Sequence, residues 1–456
     1  MIMVLNRRFD DAAWMARANG WVASALLALA LISGGSAAPI AEMVVQIGAT
    51  FALAWVVATP FPAQVLQRAR TALGLLVLIV LLPIAQLIPL PPTVWTALPG
   101  RGLPRDALAL IGAGDRWMPL SLDPFATRAA ALTLIAPITL FLLVLRLPVA
   151  QRIWLIRVAL GVGVIAVVLG LLQVAGVERV YLYDTTHRGA AVGLFANRSH
   201  NADFLLILML CLAAITRVQL ARTYSSAVLM VVIGAGLLLG LTVVTTTSRM
   251  ALLMLPAVTV IAALMLVRHW PTPRVLLVRG GAVLALGFAL IAVLVRNPVI
   301  LKTLDRFGAS TEGRYAFWPD VVYAVNLYWP WGTGLGTFDP VFRSVENLAI
   351  VDITYVVHAH NDFMELVLEA GWAGVALMLL IAAQLGAVAW RAWRRPEADQ
   401  PRVIARAAIA GIAVVAVHSL VDYPLRTPAI ITLTALLAGL LFAPVRPMVR
   451  ADYTRL

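Results

Sequence analysis

Charge is scarce in this chain: 12% of its 456 residues are Asp, Glu, Lys or Arg, while 62% are hydrophobic and the mean hydropathy is +0.92. No soluble domain of this length could expose so apolar a surface, so the chain reads as an integral membrane protein. Cysteine is nearly absent as well. Cys211 stands alone, which excludes an intrachain disulfide, and its place inside an apolar run makes it a packing residue. The apolar runs lack the alternation of an outer-membrane barrel. Internal repeats, heptad arrays and low-complexity tracts are missing too, and what remains is an all-α polytopic transmembrane helical bundle.

Runs that reach the roughly 20 residues needed to cross a hydrocarbon core predict twelve spans, at about 19–37, 40–59, 71–91, 129–147, 153–175, 202–217, 226–246, 250–267, 276–295, 363–389, 403–420 and 428–445. With the N-terminus in the cytoplasm, 21 of the 35 basic residues but only five of the 22 acids fall on cytoplasmic segments. That asymmetry follows the positive-inside rule and places both termini inside. It also explains the net charge of +13 as a topology determinant spread over short loops, which argues against a nucleic-acid partner. Ser36-Ala37-Ala38 faintly matches a signal-peptidase site, but the 17-residue polar start is long for a signal peptide, and the first apolar segment is expected to be retained.

Two outer loops, 92–128 and 296–362, exceed what a connector needs, and loops of that length are functional or disordered. The second holds Phe317, Trp318, Tyr323, Tyr328, Trp329, Trp331, Phe338 and Phe342, enough aromatic surface to fold over the bundle as short amphipathic helices. Its Gly332-Thr333-Gly334-Leu335-Gly336 run is expected to be a flexible turn; lacking a Lys-Ser/Thr ending and a preceding strand, it is no phosphate loop. The same outer face collects four polar clusters: Asn197-Arg198-Ser199-His200, Ser248-Arg249, His358-Ala359-His360-Asn361-Asp362 and His418 through Arg426. Charged groups are costly near a bilayer, so their gathering on one face points to a reaction or transport site.

Taken in chain order, Asp123-Pro124, Asn197-Arg198 with His200, Ser248-Arg249, Gly313-Arg314 with Trp318, His358 to Asp362, and His418-Ser419 followed by Asp422-Tyr423-Pro424-Leu425-Arg426 resemble the motifs of the O-antigen ligase and polymerase superfamily. The likeness covers roughly residues 120–445, and the span count and large outer loop agree with it. The resemblance implies a bacterial inner-membrane glycosyltransferase that needs no metal or other cofactor. It would move a glycan from an undecaprenyl diphosphate carrier to a hydroxyl acceptor at the periplasmic face. That acceptor is lipid A core in ligases, another lipid-linked glycan in polymerases, and a protein hydroxyl in related oligosaccharyltransferases.

The residues can carry such chemistry on their own account. A departing diphosphate gathers negative charge, which Arg holds through bidentate hydrogen bonds; Arg249 and Arg314 are assigned to it, with Arg198 assisting. An acceptor hydroxyl needs a base, and His360 is that base, oriented by His358 or Glu365. His200, Asn361, Glu369, His418 and Arg426 are further candidates for substrate contact. Each has a plainer reading. Arg198 and Arg249 could anchor helix ends at the interface, Arg314 could pair with Glu312 or Asp320, and Asp362-x-x-Glu365 could be a capping box. His358 and His360 could bind a metal, although no third ligand stands at suitable spacing. His200 could bond within its own loop, and His418 to Asp422. Glu369 sits deeper, where an isolated carboxylate usually faces a polar cavity. A transporter or flippase of lipid-linked glycan is the competing class, but matching halves with broken helices are missing.

Overall fold

The computed structural model describes residues 2–36, 38–223, 225–266, 313–349, 351, 356–394 and 400–443, with backbone alone for 2–13, 313–315 and 400. In chain order the helices are α1 (Ile2–Ser33), α2 (Pro39–Ala58), α3 (Ala63–Arg68), α4 (Arg70–Gln86), α5 (Pro92–Trp95), α6 (Gly102–Leu110), α7 (Pro124–Thr133), α8 (Ile135–Arg146) and α9 (Val149–Val174). After them come α10 (Arg198–Leu220), α11 (Ser226–Thr245), α12 (Arg249–Leu266), α13 (Gly313–Tyr328), α14 (Phe338–Val345), α15 (Asp362–Arg394), α16 (Gln400–His418) and α17 (Pro428–Phe442). A two-residue ribbon, β1 (Pro89–Leu90) and β2 (Met118–Pro119), pairs antiparallel with Leu90 opposite Met118.

Among the described residues nine helical stretches are long and apolar enough to cross a membrane, so this is an all-α polytopic membrane protein. The shorter α4 and α17 occupy the third and twelfth predicted spans, and the ninth, 276–295, lies outside the described residues. Three boundaries differ from expectation. The fourth span breaks at Leu134 into α7 and α8, α10 begins at Arg198 rather than Ala202, and α15 continues to Arg394. The early start of α10 follows from its cap: Asn197 Oδ1 accepts the Ser199 N–H at 2.9 Å, so the first polar cluster is the first helical turn. Asp123 does the same for α7, accepting from Phe125 and Ala126 at 3.0 Å ahead of Pro124.

Beyond its polar first turns helix α10 is almost wholly apolar and sits at the centre of the bundle. Phe204, Leu206, Leu208 and Leu210 are fully buried, packed among α9, α11, α12 and α16. The outer segments form a second core from Phe317, Val321, Phe338, Phe342 and Leu368. Arg101 ties the first outer loop to it: the guanidinium donates to Leu120 O and lies over the rings of Trp95 (5.6 Å) and Tyr328 (5.9 Å).

The glycine run is not a flexible turn. It lies flat on α15, where Gly334 N–H donates to Glu369 O at 2.9 Å, Thr333 N–H to Leu368 O at 3.1 Å and Leu335 N–H to Gln86 Oε1 at 2.9 Å. At Gly332 (φ +79°) a Cβ would stand 2.7 Å from the Glu369 carbonyl, and at Gly371 (φ +53°), where α15 kinks, 2.0 Å from Pro330 O. The freedom of glycine is used here for close backbone approach, and it fixes the outer loop onto the bundle.

Candidate active site

Asp362, Glu365 and Glu369 stand at i, i+3 and i+7 on the first two turns of α15, so their carboxylates share one face. All three are buried. Arg426, from the 3-10 turn Pro424–Arg426 ahead of α17, reaches along this row. Its Nη2 donates to Glu369 Oε2 at 2.7 Å, and its Nε lies 3.5 Å from Glu365 Oε1 and 3.8 Å from Asp362 Oδ1. Burial disfavours the guanidinium charge, but Glu365, Glu369 and Asp362 outweigh it and hold Arg426 above the usual range. The other carboxylate oxygens are also engaged: Glu369 Oε1 accepts from Gly336 N–H at 2.8 Å, Glu365 Oε2 from Ala359 N–H at 2.8 Å, and Asp362 Oδ2 from Ser419 Oγ–H at 2.7 Å. Arg426, expected as a substrate contact, thus has most of its charge taken up inside the protein.

This arrangement also replaces the capping box. Asn361 caps α15, with Oδ1 accepting the Met364 N–H at 3.0 Å and Nδ2 donating to Leu420 O at 2.9 Å, which frees the acids of α15 to act across the bundle.

Three histidine rings surround Tyr423, with centroids 4.4 Å (His358), 4.8 Å (His360) and 5.3 Å (His200) from its own. His358 Nδ1 lies 2.9 Å from Glu365 Oε1. Burial opposes protonation of His358, but the Glu365 carboxylate and its hydrogen bond prevail, so this imidazole holds its proton above the ordinary His pKa. His360 Nδ1 faces Asp422 Oδ1 at 3.3 Å, so the group that orients His360 is Asp422; His358 and Glu365 pair with each other instead. The backbone at His360 is left-handed (φ +49°), a conformation costly for a non-glycine residue and kept only where its surroundings impose it. Trp318 supplies one such constraint, donating from Nε1 to Ala359 O at 2.9 Å.

His418 contacts Asp203 directly through Nδ1, with Asp422 Oδ2 3.9 Å from Nε2; the expected hydrogen bond to Asp422 is a longer ion-pair contact. His200 is buried rather than interfacial and shares a 2.8 Å hydrogen bond with Thr427.

Arg198 and Arg249 open α10 and α12, whose first turns adjoin: Arg198 Nη1 donates to Thr247 Oγ1 at 2.9 Å, and Ser199 Oγ lies 3.2 Å from Ser248 Oγ. Both arginines are half-buried. Arg314 is the second residue of α13, and its side chain lies outside the described residues, as does Glu312. Asp320, its other expected partner, accepts the Asn347 N–H at 3.0 Å.

Four clusters far apart in sequence therefore meet at one end of the bundle. Sequence reasoning missed Asp203, although an acid one turn beyond His200 inside an apolar span is the same signal that singled out Glu369. It also passed over Tyr423 as a ring platform, Gln86 as an anchor for the outer loop, and Glu42 of α2, which lies within electrostatic reach of His358.

Fold and site together define a polytopic helical membrane protein with a buried ionic centre at one end of its bundle. Residues 234–379, about a third of the chain, match the model of a family described as O-antigen ligase, which supports the likeness to the enzymes of the O-antigen ligase and polymerase superfamily. These are glycosyltransferase-like membrane enzymes with lipid-linked glycan substrates. The matched stretch holds Arg249, Arg314, His358, His360, Glu365 and Glu369, and stops short of His418 and Arg426. Nothing among curated proteins matches the chain.

Proposed function

We propose that this enzyme transfers a glycan from undecaprenyl diphosphate to a hydroxyl of lipid A core, at the periplasmic face of the inner membrane and without a metal. The observation that carries this reading is the meeting of the His360–Asp422 pair with the arginine-bearing starts of α10 and α12 at one end of the bundle. In the reaction the bond from the anomeric carbon to the diphosphate oxygen breaks, its electron pair leaving with the diphosphate. The acceptor oxygen bonds to that carbon, and its proton passes to His360. Arg249, Arg314 and Arg198, assisted by the N–H groups of the two helix starts, take up the leaving charge. Asp422 sets the ring of His360 and stabilises the imidazolium that forms. His358, kept charged by Glu365, is less suited to accept a proton.

An apolar cavity of about 480 Å³ supports a lipid-borne acceptor. It is bordered by α4, α8, α15, α16 and α17, with none of its lining from α10 or α12, and Asp362 closes its polar end. Such a cavity suits a lipid chain. A headgroup arriving beside the Asp362 carboxylate should offer hydroxyls rather than a diphosphate, which like charge would repel.

Arg249→Lys and Arg314→Lys are each expected to lose at least about ten-fold in transfer at normal membrane abundance, because a point charge cannot reproduce a bidentate grip. Full transfer by both variants in a membrane assay would remove these residues from the mechanism. In a deletion strain, core lipid without polymer and an accumulation of lipid-linked polymer is the expected gel pattern. Single repeat units on core would show a polymerase instead.

A further inference from the structure

The end of the bundle away from the ionic centre carries an aromatic cleft. The C-terminal end of α1 adjoins the ionic centre, where Gly34 O accepts from Ala429 N–H at 3.0 Å and Gly35 O from Ala196 N–H at 3.0 Å. Trp14 begins the 20-residue apolar part of the same helix, about 30 Å away along the axis, close to one hydrocarbon thickness. At that depth Trp14, Arg17, Ala18, Trp21, Val22 and Trp55 border a cleft of about 430 Å³ between α1 and α2.

Its walls are fixed. Trp55 Nε1 donates to Asn19 Oδ1 at 2.8 Å, and Trp14 meets Trp55 edge-on at 5.9 Å. Trp14 and Trp21 remain 57% and 69% exposed, which suits indoles at a headgroup boundary. Arg17 is exposed and makes no hydrogen bond or ion pair with any described residue. Arg146 at the same end is spent internally: its guanidinium donates to Thr59 Oγ1 at 2.7 Å and Val56 O at 2.9 Å and lies 4.3 Å from the Phe61 ring centroid.

We propose that this cleft holds an anionic phospholipid, with the phosphate against Arg17 and the upper chains along Trp21 and Val22. A cation at an apolar, aromatic border matches a ligand that joins a negative head to hydrocarbon. A free phosphate would find one cation and no polar wall.

Native mass spectrometry of the full chain, given phosphatidylglycerol and phosphatidylcholine in equal amounts, tests this. The expected preference for phosphatidylglycerol is about five-fold, the factor supplied by one interfacial basic residue. Arg17→Gln should bring it to parity, Trp21→Ala should weaken retention of both lipids, and Trp117→Ala, on the outer loop, should change nothing. Phosphatidylglycerol should also raise the melting temperature of the wild type and not of Arg17→Gln. An undiminished preference in Arg17→Gln, or an equal rise with inorganic phosphate, would overturn the proposal.

Discussion

Replacing Arg426 with Met is expected to destabilise the protein by about 3 to 5 kcal/mol, the cost of leaving buried charge without its partner. Glu365 and Glu369 are both 0% exposed and both face this guanidinium, so its removal leaves them to take up protons or draw water into the bundle. Thermal unfolding of the purified protein measures the loss directly. Adding Glu369→Gln to Arg426→Met should recover part of it, because contacting groups are not additive. Arg426→Lys should fall between, since one ammonium cannot reach three carboxylates at the distances Arg426 spans. A melting temperature unchanged in Arg426→Met would mean the carboxylates are neutral without it, and the ionic account of this centre would fail.

The second large effect concerns chemistry. His360→Ala should reduce transfer by a factor of about 10² to 10⁴, the usual range for a general base, while the donor lipid still binds. Asp422→Asn should lose less, because it removes the group that orients the imidazole and leaves the base itself in place. Wild-type activity is expected to survive extensive chelation by EDTA, since arginine supplies the positive charge at the leaving group. Restoration of a chelated, silent enzyme by a divalent ion would make the histidines metal ligands instead. Retained activity in His360→Ala would move the base to His358, Glu365 or Glu369.

What the sequence revealed, and what it withheld, divide along a physical line. Apolar runs long enough to span a bilayer specify helices locally, which is why the first eight and last three predicted spans all find helices. Sidedness follows from counting those runs, and it alone brings Arg198, His200, Arg249, His358, His360 and His418 to one end. Pairing is not local. His360 finds Asp422 across 62 positions and His418 finds Asp203 across 215, and no periodicity encodes such partners. The same limit explains the exchange of roles in which Glu365 serves His358 while Asp422 serves His360. The glycine run misled for another reason: its composition reports φ freedom, and only packing decides whether that freedom becomes motion or close approach.

The position of Arg426 in the chain also sets an order of assembly. Glu369 precedes it by 57 residues, so during synthesis α15 must enter the membrane with its acids still lacking their counter-ion. Glu369 also holds the Gly336 N–H, so one of the contacts that seat the outer loop depends on a carboxylate whose guanidinium arrives last. A nascent chain stopped after α16 is therefore expected to hold its outer loop less tightly, with greater protease sensitivity, until translation passes Arg426. Protease resistance of that loop in chains stalled before Arg426 would show that the latch forms without it.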